Sequence, residues 1–290
     1  MEPTVLAQSL VNGLLIGGIY ALISVGLTLI FGVMRIINFA HGDFMMLAMY
    51  GTYWMFTLYG IDPYLSLIAT VPILFIIGSL TQKFLVNRVL EGTDASQLFL
   101  TLGVMLVAQN VALLFWKADY RAVRTIYSEY VIRLGEVFVS VPRLTSFAVA
   151  VILTCLLYVF LARTRTGRAM RATAQNREVS SLTGVNVRQT YVIAFGIGTA
   201  CVGAAGTLLS TFYYISPTVG TTFTLTAFLA VVLGGMGSFT GAFFGGLIVG
   251  LAESFGAVYF ATQYKELVTF GLFILVLLVR PSGLLGKSRV

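Results

Sequence analysis

Three polar side chains that could do chemistry lie close together in an otherwise apolar stretch, namely Asn38, His41 and Asp43. Histidine and aspartate side chains are common metal ligands. His41 is, however, the one histidine in the sequence, so neither a histidine-based metal site nor the zinc-protease pattern H-E-x-x-H can form. The cluster therefore calls for a role other than metal chemistry.

Other catalytic patterns are missing from the sequence too. No serine lies in a G-x-S-x-G turn, and no G-x-x-x-x-G-K-[ST] phosphate loop occurs. An intramembrane aspartyl protease would need a second buried aspartate beside Asp43. We therefore predict a chain that is not an enzyme, holds no metal and carries no cofactor of its own.

The composition shows which elements must position these residues. Of 290 residues, 58% are hydrophobic and only 10% are charged, whereas soluble domains carry about 25% charged residues. Such a chain cannot coat a soluble globule, and its net charge of +7 does not indicate nucleic acid. We predict an all-α, polytopic membrane protein of about eight membrane-spanning or re-entrant segments. The apolar stretches are 8–31, 36–58, 64–82, 97–116, 144–162, 190–212, 225–252 and 266–279.

Lys and Arg positions predict the orientation, since they favour cytoplasmic loops. Segment 163–188 holds six arginines against one acid, Glu178, and is expected to be cytoplasmic. The N-terminus is then outside and the C-terminus inside. Segment 117–143 is expected to be an external loop, although it has five basic and three acidic residues. The other basic residues placed on the cytoplasmic side are Lys83, Arg88, Arg280, Lys287 and Arg289.

The stretch 225–252 must start and finish on the outer side to satisfy this orientation. It is interrupted at Gly234–Ser238, and glycine disfavours helix by about 1 kcal/mol per residue. Either a re-entrant hairpin or two short spans fit. Glycines also recur at four-residue spacing, as in Gly13 and Gly17 or Gly237 and Gly241. This spacing is typical of close helix packing in lipid, and a glycine-lined pore is compatible with it.

The Asn38, His41 and Asp43 cluster has two interpretations. Ionisable groups at membrane depth are costly and usually face a bundle interior or water. The cluster either lies near the cytoplasmic interface and ties helix ends together, or forms a polar element near the cytoplasmic mouth of a translocation path.

A second informative stretch is 166–187. Helix formers continue up to Gln175, and Val179, Leu182 and Val185 then recur every three residues, which predicts a short helix with one apolar face. Gly184 lies where such a helix would stop. The stretch is either a partner-binding helix or a charged loop that only fixes the orientation.

These motifs resemble bacterial branched-chain amino acid ABC transporter permeases, in particular their LivH-type subunit. The pattern Arg171-Ala172-x-x-x-Asn176, followed by Gly184-Val185-Asn186-Val187, is similar to the family's cytoplasmic coupling loop. Four further motifs match in the family's order: Asn12-Gly13-Leu14-x-x-Gly17-Gly18-x-Tyr20-Ala21-Leu22, Asn38-Phe39-Ala40-His41-Gly42-Asp43, Gly234-Gly235-Met236-Gly237-Ser238-x-x-Gly241, and Arg280-Pro281-x-Gly283-Leu284.

The resemblance implies a single permease domain over 1–290, with a fold similar to the ribose and vitamin B12 permeases, in the bacterial inner membrane. Implied partners are a LivM-type sister permease, two cytoplasmic ATPases that bind ATP and Mg, and a periplasmic amino-acid-binding protein. Within the coupling loop 163–189, the resemblance implies that Arg171, Ala172, Asn176, Glu178, Leu182, Gly184 and Val185 contact the ATPases. Residues expected along the translocation path are Asn12, Tyr20, Asn38, His41, Asp43, Gly235 and Gly237.

The expected function is a permease subunit of a high-affinity importer of branched-chain amino acids. Related permeases serve urea, short amides or aromatic acids, so these substrates stay open. An ion-driven transporter that uses the broken span with Asp43 or Glu253 is a further alternative. A membrane scaffold without flux is another.

Overall fold

The computed structural model describes residues 3–90, 92–260 and 262–286. Lys287 and Arg289, used above for orientation, lie outside the described residues. Within the described ranges, six helices are long and apolar enough to cross a membrane. The elements are α1 Pro3–Met34, α2 His41–Tyr59, α3 Pro63–Phe84, α4 Asp94–Trp116, β1 Val131–Leu134, β2 Val137–Ser140, α5 Val141–Arg163, α6 Arg165–Gln175, α7 Arg177–Leu182, α8 Val187–Leu209, α9 Val219–Gly234, α10 Phe239–Tyr259 and α11 Lys265–Val279.

Helix α1 forms the centre of the bundle and is buried along most of its length, with α5, α8, α9 and α10 around it. Small residues let these backbones approach closely. A Cβ on Gly13 would lie 2.8 Å from Leu251 Cα, and one on Gly17 would lie 3.0 Å from Leu247 Cα. These glycines pack one helix against another, as their four-residue spacing predicts.

Helix α2 begins later than its apolar stretch suggests. Residues 35–40 are not helical, and Arg35 has a φ of 59°. The Asn38 side chain accepts a hydrogen bond from the Ala40 N–H at 3.2 Å, so a local turn competes successfully with the helix. The predicted span 36–58 is therefore wrong at its start.

The stretch 225–252 divides into two helices, α9 and α10. Gly235 and Gly237, with φ of 104° and 83°, form the turn between them, which a residue with a Cβ would adopt only at a cost. The turn lies beside Gly32, two residues before the C-terminal end of α1. Because the hairpin reaches that far along α1, the structure favours two short spans over a shallow re-entrant loop.

Segment 117–143 closes over the other end of the bundle. It contains the hairpin β1–β2, and its Phe138 exchanges two backbone hydrogen bonds of 2.8 Å with the Gln8 side chain. Arg121 pairs through its backbone with Ile215, which follows α8. The segment thus lies at the end of the bundle where α1 begins.

Candidate functional site

The start of α2 brings three of the predicted path residues together inside the bundle. Asn38, His41 and Asp43 are each 1% exposed or less. The His41 ring Nε2 lies 3.0 Å from the carbonyl oxygen of Ile23 in α1. Ile23 is eleven residues before the end of α1, or roughly 16 Å at 1.5 Å per residue. The cluster therefore lies beside the middle of α1 rather than beside its C-terminal end.

A glutamine of α4 completes this cluster. The Gln109 Nε2 donates hydrogen bonds to Asp43 Oδ1 at 2.9 Å and to Thr221 Oγ1 at 3.0 Å. Helices α2, α4 and α9 are thereby joined by one side chain. Sequence analysis missed Gln109 and Thr221, since nothing local sets them apart from other polar residues in apolar helices.

The N-terminal ends of α2 and α9 meet at this cluster. The Gly42 N–H donates to Thr224 Oγ1 at 2.9 Å, and a Cβ on Gly220 would lie 2.7 Å from the Gly42 carbonyl oxygen. Two helices that begin within the bundle, side by side, are typical of transport proteins, where irregular backbone is tolerated only inside protein or beside a cavity.

Hydrogen-bonding capacity in this cluster is incompletely used. Among the described residues, no partner is found for Asn38 Nδ2, His41 Nδ1 or Asp43 Oδ2. Unsatisfied buried polar atoms are rare in folded proteins and often mark functional sites. The described residues also contain no group of three or more His, Cys, Asp or Glu side chains that could hold a metal ion.

Tyr20 belongs to a different polar group. Its hydroxyl donates to Glu253 Oε2 of α10 at 2.6 Å, and Glu253 Oε1 forms an ion pair with Lys265 of α11. Sequence analysis considered Glu253 only for an ion-driven transporter and missed Lys265. Glu253 could have been found as the one acid in the apolar stretch 225–252 or just after it.

The remaining path residues lie at the two ends of α1. Asn12 accepts a hydrogen bond from Gln8 at 3.3 Å near the N-terminal end, whereas Gly235 and Gly237 lie near the C-terminal end. The predicted path residues therefore occupy several levels of the bundle, and only Asn38, His41 and Asp43 form one cluster.

The predicted coupling residues lie on α6, α7 and the turn that follows. Asn176 separates the two helices, and its side chain accepts from the N–H groups of Glu178 and Val179 at 3.0 and 3.1 Å, so it caps α7. Leu182 is 87% exposed and Val179 is 55% exposed. Gly184 follows with a φ of 85° and open space around it.

One expectation about this apolar face needs correction. Val185 lies beyond the end of α7 and is half-buried, because its N–H turns back to the Ser180 carbonyl at 3.1 Å. The exposed apolar face of α7 thus consists of Val179 and Leu182. Arg171, Asn176 and Glu178 are exposed near it, and Ala172 is half-buried.

Helix α6 links this face to the rest of the bundle. Met170 is buried, and with Arg171 it lines a cavity of about 410 Å³. The same cavity is bordered by Gly32 of α1 and by Gly237 of the α9–α10 turn. Helix α6, which carries the predicted coupling residues Arg171 and Ala172, and the glycine turn are therefore neighbours.

Segment 117–143 is anchored by a tyrosine. The Tyr127 hydroxyl donates to Asp62 Oδ2 at 2.7 Å, and its ring stacks on Tyr64. Burial and the adjacent Asp62 carboxylate raise the pKa of Tyr127 above its usual value, since both disfavour the phenolate.

Comparisons with known proteins agree with this architecture. Residues 9–277 match the family described as branched-chain amino acid transport system / permease component. The permease BraD of Pseudomonas aeruginosa is 36% identical over 98% of this chain and 96% of its own length. LivH of Escherichia coli is also 36% identical, with the same coverage. LivM of E. coli is 32% identical over 44% of this chain and 30% of its own length.

The family match covers most of the chain, and the relatives match it over almost their full length. The chain belongs to the family of branched-chain amino acid transport permease components.

Proposed function

We propose that this chain is the LivH-type permease of a high-affinity, ATP-driven importer of branched-chain amino acids. The observation that carries the proposal is the match along almost the whole chain to BraD and LivH, both named high-affinity branched-chain amino acid transport permeases. Uptake of leucine, isoleucine and valine by cells with and without the gene tests it. Unchanged uptake of all three would refute it, and lost uptake of urea or an aromatic acid would reassign the substrate.

The proposed assembly pairs this chain with a LivM-type sister permease, two cytoplasmic ATPases and a periplasmic binding protein. The likeness to LivM supports such pairing, because related subunits can form a pseudo-symmetric dimer. ATP and Mg would bind to the ATPases. Segment 117–143 would receive the binding protein.

The proposed orientation places α6 and α7 in the cytoplasm and segment 117–143 outside. Six arginines in 163–188 support it through the preference of basic residues for the cytoplasmic side. Single cysteines at Ser128 and Ser181, in a chain lacking Cys155 and Cys201, should react with a membrane-impermeant maleimide from outside and inside respectively. The reverse pattern would overturn the orientation.

The exposed face of α7 is proposed to dock an ATPase. Leu182 is 87% exposed, so Leu182→Ala should remove partner contact without changing the core of this chain. If Leu182 is one of the minority of interface residues whose truncation costs more than about 1 kcal/mol, at least about fivefold less ATPase should copurify, with a matching loss of uptake.

A matched control lies on the same helix. Ser181 is exposed, and its hydroxyl bonds only within α7, to the Glu178 carbonyl, so Ser181→Ala should leave copurification nearly unchanged. Full ATPase binding and uptake by Leu182→Ala would refute the docking role.

A further inference from the structure

We propose that the cleft between α9, α10 and α11 recognises the substrate in transit, with carboxylates for its ammonium group and an apolar floor for its side chain. This inference rests on the proposed function, since it assigns residues to an amino-acid substrate. The cleft measures about 150 Å³, well below the roughly 300–1,000 Å³ of sites for drug-sized ligands. It suits a small metabolite.

The directions of the three helices place the acidic residues at one end of the cleft. Ser254 of α10 donates to the Ser9 carbonyl of α1, which puts neighbouring Glu253 toward the N-terminal end of α1. Helix α9 runs from there toward Gly32, and α11 runs alongside it, because Leu284 pairs with Leu233.

The residues of the cleft follow this gradient. Glu266 and Thr222 lie in the first turns of α11 and α9, and both line the cleft together with Glu253. Deeper in the cleft come Leu229, Val249 and Phe270, together with Thr226 and Thr269, whose hydroxyls donate to carbonyls of their own helices. The cleft thus has an acidic, hydroxyl-rich rim and an apolar floor.

The rim cannot face lipid. Glu266 and the first threonines of α9 are exposed in this chain, and charged side chains at membrane level are costly unless they meet water or a partner. The exposed side chains of α3, α4 and α5 are mostly apolar, for example Ile68, Leu114 and Ile152. Lipid therefore covers those helices, and the cleft faces the aqueous path or the sister subunit.

Glu253 retains capacity for a further donor. A carboxylate has about four acceptor sites, and Glu253 uses one oxygen for Tyr20 and the other for Lys265. Its side chain is 18% exposed and that of Lys265 is 31% exposed. Tyr20 is in turn held edge-on against Phe223 of α9, so the carboxylate is fixed at the rim rather than mobile.

The two ends of an α-amino acid match these groups. An ammonium offers three donors to the two rim carboxylates. The substrate carboxylate can accept from the Thr222 hydroxyl or from the partly exposed Lys265. A branched aliphatic side chain would then lie on the floor formed by Leu229, Val249 and Phe270.

The test uses a leucine analogue with a photoreactive diazirine side chain, supplied through the binding protein to the complete transporter in proteoliposomes. We expect irradiation to label peptides containing Leu229, Val249 or Phe270. Leucine should abolish the labelling. In the Glu266→Gln transporter the labelling should fall at least tenfold, as the loss of a charge-assisted contact implies.

Controls separate this inference from the proposed function. Asp94→Asn, in the first turn of α4 and outside the cleft, should label like the natural sequence. Glu253→Gln would break the ion pair with Lys265 and so change the structure as well as the proposed site. Glu266 is exposed, so Glu266→Gln changes the proposed site alone and is the decisive variant. If leucine uptake persists but other helices are labelled, or Glu266→Gln does not reduce the labelling, the cleft is not the recognition site. No leucine uptake by the natural transporter would instead refute the proposed function.

Discussion

The contact between Gly42 of α2 and Gly220 of α9 gives the sharpest test of the fold around the buried cluster. A Cβ on Gly42 would meet the Gly220 carbonyl group, with its carbon at 2.8 Å, and Thr224 Oγ1 at 2.5 Å. Carbon atoms normally approach to about 3.5–4.0 Å. Gly42→Ala must therefore push the two helices apart by roughly 1 Å, which also strains the 2.9 Å bond from Gly42 to Thr224.

Three contributions set the net loss of folding free energy in Gly42→Ala. Overpacking costs about 1–3 kcal/mol, the weakened hydrogen bond about 1 kcal/mol, and replacing glycine in a helix returns up to about 1 kcal/mol. Gly51→Ala in the same helix is the matched control, because its Cβ would meet only Thr70 Cγ2 at 3.9 Å. That variant should be neutral or stabilised by up to about 1 kcal/mol.

Thermal unfolding of the purified variants in detergent measures the difference. Gly42→Ala should melt roughly 5–10 °C below Gly51→Ala, taking about 2–4 °C per kcal/mol for a chain above 150 residues. Transport per folded molecule should also fall, since the junction positions Asp43 and its neighbours. Equal melting temperatures would refute the close approach of α2 and α9, and undiminished transport would refute its functional importance.

Two further predictions concern segment 117–143. The pKa of Tyr127 is raised in the folded chain. Its contribution to the stability of the fold is therefore complete below the ordinary tyrosine pKa near 10 and is lost as pH rises above that value. Thermal stability should therefore fall more steeply from pH 9 to 11 in the natural chain than in Tyr127→Phe, and parallel curves would contradict this. The Arg121 guanidinium lies 5.2 Å from the ring centres of Tyr53 and Trp54, so Arg121→Lys should cost about 1 kcal/mol and shift tryptophan fluorescence. An unchanged spectrum and melting temperature would count against the stacking.

The membrane class, the helical fold and the family are confirmed, as is the role of a transport subunit rather than an enzyme. The spans could be predicted because hydropathy is nearly additive along the chain. Stretch 97–116 became α4, Asp94–Trp116, and stretch 266–279 became α11, Lys265–Val279. The start of α2 could not be predicted this way, since residues 35–40 are as apolar as the helix that follows. Their turn depends on the side chain of Asn38.

Sequence analysis identified the polar residues of the candidate site unevenly, and the reason is physical. Asn38, His41 and Asp43 stand out because each is costly in its own apolar surroundings. Gln109 does not, since its importance comes from Asp43, 66 residues away, and from Thr221, 112 residues away. Membrane proteins bury polar groups by pairing them between helices, and such pairs become visible only when the helices are packed.

The same reasoning explains why glycine spacing was informative about packing but not about position. Small residues four apart indicate that some helix approaches closely, and the approach of Gly13 to Leu251 fulfils this. They do not indicate which helix, and they miss other contacts: Gly42 and Gly220 have no glycine four residues away and still make one of the tightest contacts. A glycine at the first turn of a helix that starts inside the bundle is thus worth testing even without a repeat, since two helix ends can meet there only if neither carries a Cβ.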